Sequence, residues 1–189
     1  PLQTLRSDRQ RRISGSIMPV FFLVSALVAA LDYVFKYLVS HNMTVGQSVP
    51  VIPGIRLTYV QNRGMAFGML SDSRWVFLVL STVMIAALIY SIASKKGYAR
   101  MVYVSMALAL GGGIGNMIDR LLYGYVIDYV DFYPLPFWTW VFNLADAAIC
   151  AGVVLFAVYL LFFEKKAKAA GKKAFFDDAP KKPSDGDSR

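Results

Sequence analysis

Four long apolar runs, set apart by polar stretches rich in proline and glycine, organise this chain. They predict helices over about 17–39, 74–93, 98–118 and 141–163, each long enough to cross a hydrocarbon layer of about 30 Å. The connections differ in pattern. Over 41–72, Pro50, Pro53, Gly54, Gly64 and Gly68 break any helical period. Ile55, Leu57 and Tyr59 alternate there with Arg56 and Thr58, which predicts a strand with one apolar face. Asn62-Arg63-Gly64 reads as a turn. Residues 119–140 read as a mixed loop containing an alternating segment, Tyr125 to Asp131. The architecture expected is an all-α membrane protein. Four transmembrane helices form the domain, over 17–163, with a small extracytoplasmic β-rich element between helices 1 and 2. Residues 1–16 read as an N-terminal arm that is a candidate for non-native sequence, with Met18 a candidate start. Residues 164–189 are basic and polar, a composition that buries no core and predicts disorder.

Composition agrees. The chain has 189 residues, 57% hydrophobic and only 17% charged, against about 25% charged in soluble domains. Mean hydropathy is +0.49. The net charge of +8 raises the question of nucleic acid, but the basic residues form no stripe interleaved with aromatics. They gather beside the apolar runs: Arg6, Arg9, Arg11 and Arg12 before the first, Lys95, Lys96 and Arg100 between the second and third, and the lysines from Lys165 onward. The positive-inside rule then puts both termini in the cytoplasm and the two large connections outside. Phe137, Trp138 and Trp140 read as an interfacial aromatic belt. The Lys165–Lys173 cluster reads as a stop-transfer anchor that attracts anionic lipid. One cysteine, Cys150, excludes an internal disulfide and reads as a packing residue; one histidine, His41, leaves no zinc site. No metal and no cofactor is expected.

Against this background the charged residues near the span ends stand out, because an ionised group at mid-bilayer costs about 2.5–3.5 kcal/mol. Asp32 and Lys36 are four apart and predict an ion pair on one helix face. Gly111 and Gly115 predict close helix packing. Asn116, Asp119 and Arg120 share one face of the third helix. Asp128 lies in the alternating segment. Asp146 follows Asn143 by three residues at the start of the fourth span, where a helix dipole favours an acid. Each has a purely structural reading by itself. Together, two carboxylates at one membrane face, flanked by asparagines and an arginine, fit an acid–base pair sharing one proton. With a single histidine in a different loop, any hydrolase here is an aspartate one.

In order along the chain, the elements Asp32-Tyr33-Val34-Phe35-Lys36, Asn62-Arg63-Gly64-Met65-Ala66-Phe67-Gly68, Gly115-Asn116-Met117-Ile118-Asp119-Arg120, Val126-Ile127-Asp128-Tyr129 and Phe142-Asn143-Leu144-Ala145-Asp146 resemble those of bacterial lipoprotein signal peptidases, the signal peptidase II family. The resemblance covers roughly residues 17–163. Tyr33, Phe35 and Met65 depart from the family pattern, in which Gln, Ser or Thr, and Ala are usual. The resemblance implies an aspartyl endopeptidase of the bacterial inner membrane with its site on the extracytoplasmic side. It would remove signal peptides from prolipoproteins, N-terminal to a diacylglyceryl-modified cysteine. It implies Asp128 and Asp146 as the catalytic pair. Asn62, Gly64, Asn116, Arg120 and Asn143 would shape the site, and Asp32, Lys36 and Asp119 would support it. Lipid-modified prolipoproteins, membrane lipids and globomycin-type inhibitors are the implied partners. A small transporter or channel using buried acids is the competing class. It fits less well, because the acids lie at one face and the spans show no repeat.

Overall fold

The computed structural model describes residues 2–64, 74–94, 98–134 and 140–165, with side chains from residue 18 on. Met65 to Gly68, Phe137, Trp138 and nearly all of the lysine-rich tail lie outside the described residues, so the readings placed on them concern the sequence alone.

Among the described residues, four helices carry the fold: α1 (Leu2–Asn42), α2 (Arg74–Ala93), α3 (Arg100–Leu122) and α4 (Leu144–Val158), the last continued by a π-helical stretch, Tyr159–Phe163. Four segments among the described residues are long and apolar enough to cross a membrane: Met18–Asn42, Arg74–Ala93, Arg100–Leu122 and Leu144–Phe163. The third differs from the rest. Its hydropathy is the lowest, 1.5, and 61% of its span is buried inside the protein, against 11–22% for the others. Helix α3 is therefore the central post, and the others keep apolar faces turned outward, as a lipid solvent requires.

Glycine lets α3 occupy that position. A Cβ on Gly111 would stand 2.6 Å from the Ser25 carbonyl oxygen, and one on Gly115 would stand 2.5 Å from Asp32 Oδ2, both on α1. A Cβ on Gly112 would collide with the carbonyl of Ala145 on α4. The glycine run thus gives close packing, as expected, and serves three neighbours at once, since Gly113 faces Met84 and Ile85 of α2. Close approach is what holds helices together where no water remains to be expelled.

The β structure is larger than the sequence suggests. Strands β1 (Ser48–Ile52) and β2 (Ile55–Asn62) form the expected element between α1 and α2. Strand β3 (Val126–Phe132) and the two-residue β4 (Val141–Phe142) come from the connection between α3 and α4, and all four make one antiparallel sheet in the order β1-β2-β3-β4. The description "all-α" with β structure confined to the first connection is corrected accordingly. The alternating pattern of 125–131 was a strand signal, but β3 is buried almost throughout, because one face packs on α1 and the other lies over the site. The fourth helix also begins at Leu144, since Val141 and Phe142 pair with Asp131 and Val130. The third runs past Ile118 to Leu122, so Asp119 and Arg120 belong to its last turns.

The sheet lies at the end of the bundle where α1 and α3 finish and α2 and α4 begin. Pro53 and Gly54 make the β1–β2 turn, with Gly54 at φ +89, a conformation that favours glycine. A cluster of Val39, Tyr59, Ile127 and Tyr129 seats the sheet on the last turns of α1. Phe35 stacks on Tyr129 at 6.3 Å between ring centres. Arg56 donates to Asp131 Oδ2 at 2.6 Å, and Thr58 donates to the same oxygen at 2.9 Å, which fixes β2 against β3. Cys150, expected in packing, is exposed on the outer face of α4.

Candidate active site

Five elements bring the charged residues together at the junction of sheet and bundle. The start of α4 supplies the first part. Asn143 is its N-cap, with extended backbone (φ −126, ψ 178), and its side-chain oxygen accepts the Asp146 N–H at 2.8 Å. Asp146 returns the contact, its Oδ2 accepting the Asn143 N–H at 3.4 Å. This is a capping box, which satisfies two otherwise orphaned backbone donors. The structural reading of Asp146 as a first-turn acid therefore holds, and the same geometry presents its carboxylate to the site.

Asn143 also reaches Asp128. Its Nδ2 donates to Asp128 Oδ1 at 2.6 Å, with the Ile127 carbonyl at 3.4 Å and Asn116 Oδ1 at 3.2 Å. The other oxygen of Asp128 accepts Asn62 Nδ2 at 2.9 Å. Asn62 is itself aimed by the turn that follows β2: its Oδ1 accepts the N–H of Gly64 at 2.9 Å, and Gly64 has φ +99. Asp146 Oδ1 accepts Asn116 Nδ2 at 2.7 Å. Three asparagines thus hold two carboxylates, and Asn143 touches both, Asp128 through its side-chain amide and Asp146 through its main-chain N–H.

The two acids sit in different surroundings. Asp128 is 1% exposed, whereas Asp146 is part-exposed. Burial raises the Asp128 carboxyl from its ordinary 3.8 to about 7, and the neighbouring charge of Asp146 adds to the rise. Hydrogen bonds from Asn62 and Asn143 and the charge of Lys36 oppose it. Burial likewise raises the neighbouring Tyr129 phenol, whose oxygen accepts the N–H of Leu144 at 3.3 Å.

Beneath this pair lies a second polar layer. Lys36 is 1% exposed, and its Nζ stands 2.7 Å from Asp32 Oδ2, 3.0 Å from Asp119 Oδ2 and 2.8 Å from Asn116 Oδ1. The ammonium thus donates a hydrogen bond to Asn116 and makes ion pairs with two carboxylates. The ion pair expected between Asp32 and Lys36 is present, and Asp119 completes it. Breaking a buried pair of this kind costs about 3–5 kcal/mol, because a charge is left without its partner. Asp119, expected to brace the helix end, also accepts the Ile127 N–H at 3.0 Å and so binds α3 to β3. Arg120 donates to the Asn116 carbonyl at 3.3 Å and lies over the Phe77 ring, within electrostatic reach of Asp146, Asp128 and Asp119.

Every site residue expected from the sequence therefore falls in one connected cluster. Left unforeseen were the backbone amides of Ile127 and Ala145 and the role of Gly115. Gly115 leaves room for Asp32 where any side chain would intrude. Its spacing from Gly111 signalled close packing but carried no information on the partner. Among the described residues, no group of His, Cys, Asp and Glu is arranged to hold a metal ion.

Four apolar helices, capped at one end by a sheet and carrying two carboxylates joined through one asparagine, define a membrane-embedded protein with a paired-carboxylate centre. The sequence model of the family described as signal peptidase (SPase) II matches residues 24–162. The chain is 43% identical over 145 residues to the lipoprotein signal peptidase of Halothermothrix orenii, covering 76% of this chain and 97% of that protein. It is 38% identical over 150 residues to the lipoprotein signal peptidase of Desulfitobacterium hafniense, covering 79% of this chain and 97% of that protein. Its fold is similar to that of a bacterial membrane enzyme solved by the in meso method at 1.9 Å resolution, with TM-score 0.71 and 32% identity over 77% of this chain and 94% of that one. The chain belongs to the signal peptidase II family, proteases with membrane-spanning helices.

Proposed function

We propose that this protein is an aspartyl endopeptidase that removes signal peptides from diacylglyceryl-modified prolipoproteins, cutting N-terminal to the lipid-modified cysteine. The observation that carries this reading is the joining of Asp128 and Asp146 through Asn143 at the end of an apolar bundle. In this reading the buried Asp128 holds the shared proton in the resting site, and the part-exposed Asp146, in the first turn of α4, acts as the carboxylate base; the difference in burial supports that division. Asp146 takes a proton from water as the water oxygen bonds to the scissile carbonyl carbon. Asp128 gives its proton to the carbonyl oxygen, producing a neutral tetrahedral diol. In the second half Asp128 recovers a proton from the diol, the C–N bond breaks, and Asp146 delivers its proton to the leaving amine.

The substrate this reading requires is itself a membrane segment bearing acyl chains. A site at a bundle end lets it arrive sideways from lipid while water arrives from outside. The distribution of Lys and Arg supports cytoplasmic termini and an extracytoplasmic site in the bacterial inner membrane. Globomycin-type inhibitors would occupy the same site. Within segment 49–60, whose apolar residues suit contact with the membrane surface, the exposed apolar side chains belong to β1 and not to β2. Tyr59 is buried and Leu57 packs beneath it, while Val49, Val51 and Ile52 of β1 are 40–57% exposed. We assign β1 to contact with the membrane and the lipid-bearing part of the substrate. The deciding experiment is cleavage of a lipid-modified prolipoprotein by purified protein carrying Asp128→Asn or Asp146→Asn; full activity in either variant overturns the mechanism.

A further inference from the structure

The three acceptors around the Lys36 ammonium belong to different parts of the site, and each leads onward to one of the two aspartates. Asp32 uses one oxygen for Lys36 and the other for the N–H of Ala145, at 2.8 Å. Ala145 is the residue immediately before Asp146. Asp119 accepts from Lys36 and also from the N–H of Ile127, at 3.0 Å. Ile127 is the residue immediately before Asp128. Asn116 receives Lys36 on its oxygen and therefore turns its amide to Asp146 Oδ1. The same oxygen receives Asn143, which donates to Asp128.

We propose that Lys36 is the positioning residue of this site. Its ammonium, held between Asp32 and Asp119, sets the separation and relative orientation of Asp128 and Asp146 through the backbone amides that precede them. The inference rests on the reading of Asp128 and Asp146 as the reacting pair. Simple charge balance explains less of the geometry. One carboxylate neutralises one ammonium, yet Lys36 has two, and each spends a lone pair on a main-chain N–H. A bond to a main-chain N–H fixes the path of the chain, and hence where the next side chain starts. Lys36 is 1% exposed, so a substrate does not touch it.

The test uses the full chain in detergent or proteoliposomes and a lipid-modified prolipoprotein as substrate. Lys36→Met is expected to lower kcat by about 10²-fold while KM stays within about twofold, since misplacing a reacting group by about 1 Å has an effect of that size. The double variant Lys36→Met with Asp119→Asn restores the cluster's original net charge. Its kcat is expected to stay low, because the link between the two tethers is still missing. Asp119→Asn alone conserves volume and slackens only the Asp128 arm; at least about a tenfold loss in kcat is expected. Recovery of kcat in the double variant, wild-type kcat in folded Lys36→Met or Asp119→Asn, or a loss expressed in KM alone overturns the inference. Asp128→Asn and Asp146→Asn, measured alongside, separate the two levels. If both are inactive while Lys36→Met is normal, only the positioning role fails; if either is fully active, the paired-aspartate reading fails first.

Discussion

Asn143 donates its side-chain amide to Asp128 at 2.6 Å, and its main chain closes a capping box with Asp146. One residue therefore registers the strand acid against the helix acid. Replacing it with Ala removes the bridge and the N-cap together. Loss of an N-cap costs about 0.5–2 kcal/mol, so Asn143→Ala is expected to stay folded with a lowered thermal transition. Cleavage is expected to fall by at least about 10²-fold. Asn143→Asp keeps a capping oxygen but turns the amide donor into a third carboxylate beside Asp128. It is expected to recover the thermal transition and not the cleavage rate, as a melting curve and a cleavage assay on each variant will tell.

In the proposed mechanism, Asp128→Asn and Asp146→Asn remove one proton carrier each. Each is expected to lower kcat by at least about 10³-fold, within the range such groups contribute. Binding of substrate or of a globomycin-type inhibitor should persist, because the amides of Asn62, Asn116 and Asn143 stay in place. Titration calorimetry beside the cleavage assay checks both halves.

The pH dependence follows from Asp128. The groups facing it are Asp146 from α4, Lys36 from α1, Arg120 from α3 and its neighbour Tyr129. Burial first, then the charge of Asp146, raises its carboxyl to about 7. In the proposed mechanism Asp128 holds the shared proton at the start of the cycle, so kcat/KM is expected to fall as pH rises through about 7. A profile flat from pH 6 to 9, with chemistry rate-limiting, would contradict the assignment of the acid.

Stability carries the same signature with a definite sign. Between its ordinary value of 3.8 and about 7, native Asp128 keeps a proton that the unfolded chain has lost. The native state therefore loses ground as pH rises through that window, by on the order of a few kcal/mol. Asp128→Asn removes this slope. Its amide also meets other amide donors, so the readout is the pH dependence of the thermal transition, not its height. The drop from pH 5 to pH 8 is expected to be smaller in the variant than in the parent.

Gly115 and β1 give two geometric tests. Gly115→Ala drives a methyl group to within 2.5 Å of Asp32 Oδ2. Overpacking costs about 1–3 kcal/mol, so a lowered thermal transition and reduced cleavage are expected. Val51→Asp with Ile52→Asp places charge on β1, whose residues are all exposed. That variant is expected to raise KM for a diacylated substrate in proteoliposomes more than for a detergent-solubilised one. Equal KM values in both settings would remove β1 from the lipid-contact role.

The sequence by itself determined the number of spans, the ion pair of Asp32 with Lys36, the close packing at Gly111 and Gly115, and the residues worth suspecting. Those features are local. An i,i+4 pair, a small-xxx-small spacing and a long apolar run each report through neighbours along one helix. The separation of acids from an apolar background was equally legible, because lipid makes an idle charge expensive. Only the tertiary structure decided that β3 joins β2 in one sheet, that Asp119 ties Lys36 to the strand bearing Asp128, and that Asn143 serves both acids. The Asp119–Ile127 and Asn143–Asp128 bonds join residues 8 and 15 positions apart on different elements, and no pattern along a single element encodes which distant partner fills a hydrogen bond. Asp146 shows the division well. Its place three residues after Asn143 already announced a helix start, but only the approach of β3 and α1 turned that cap into half of a paired-carboxylate site.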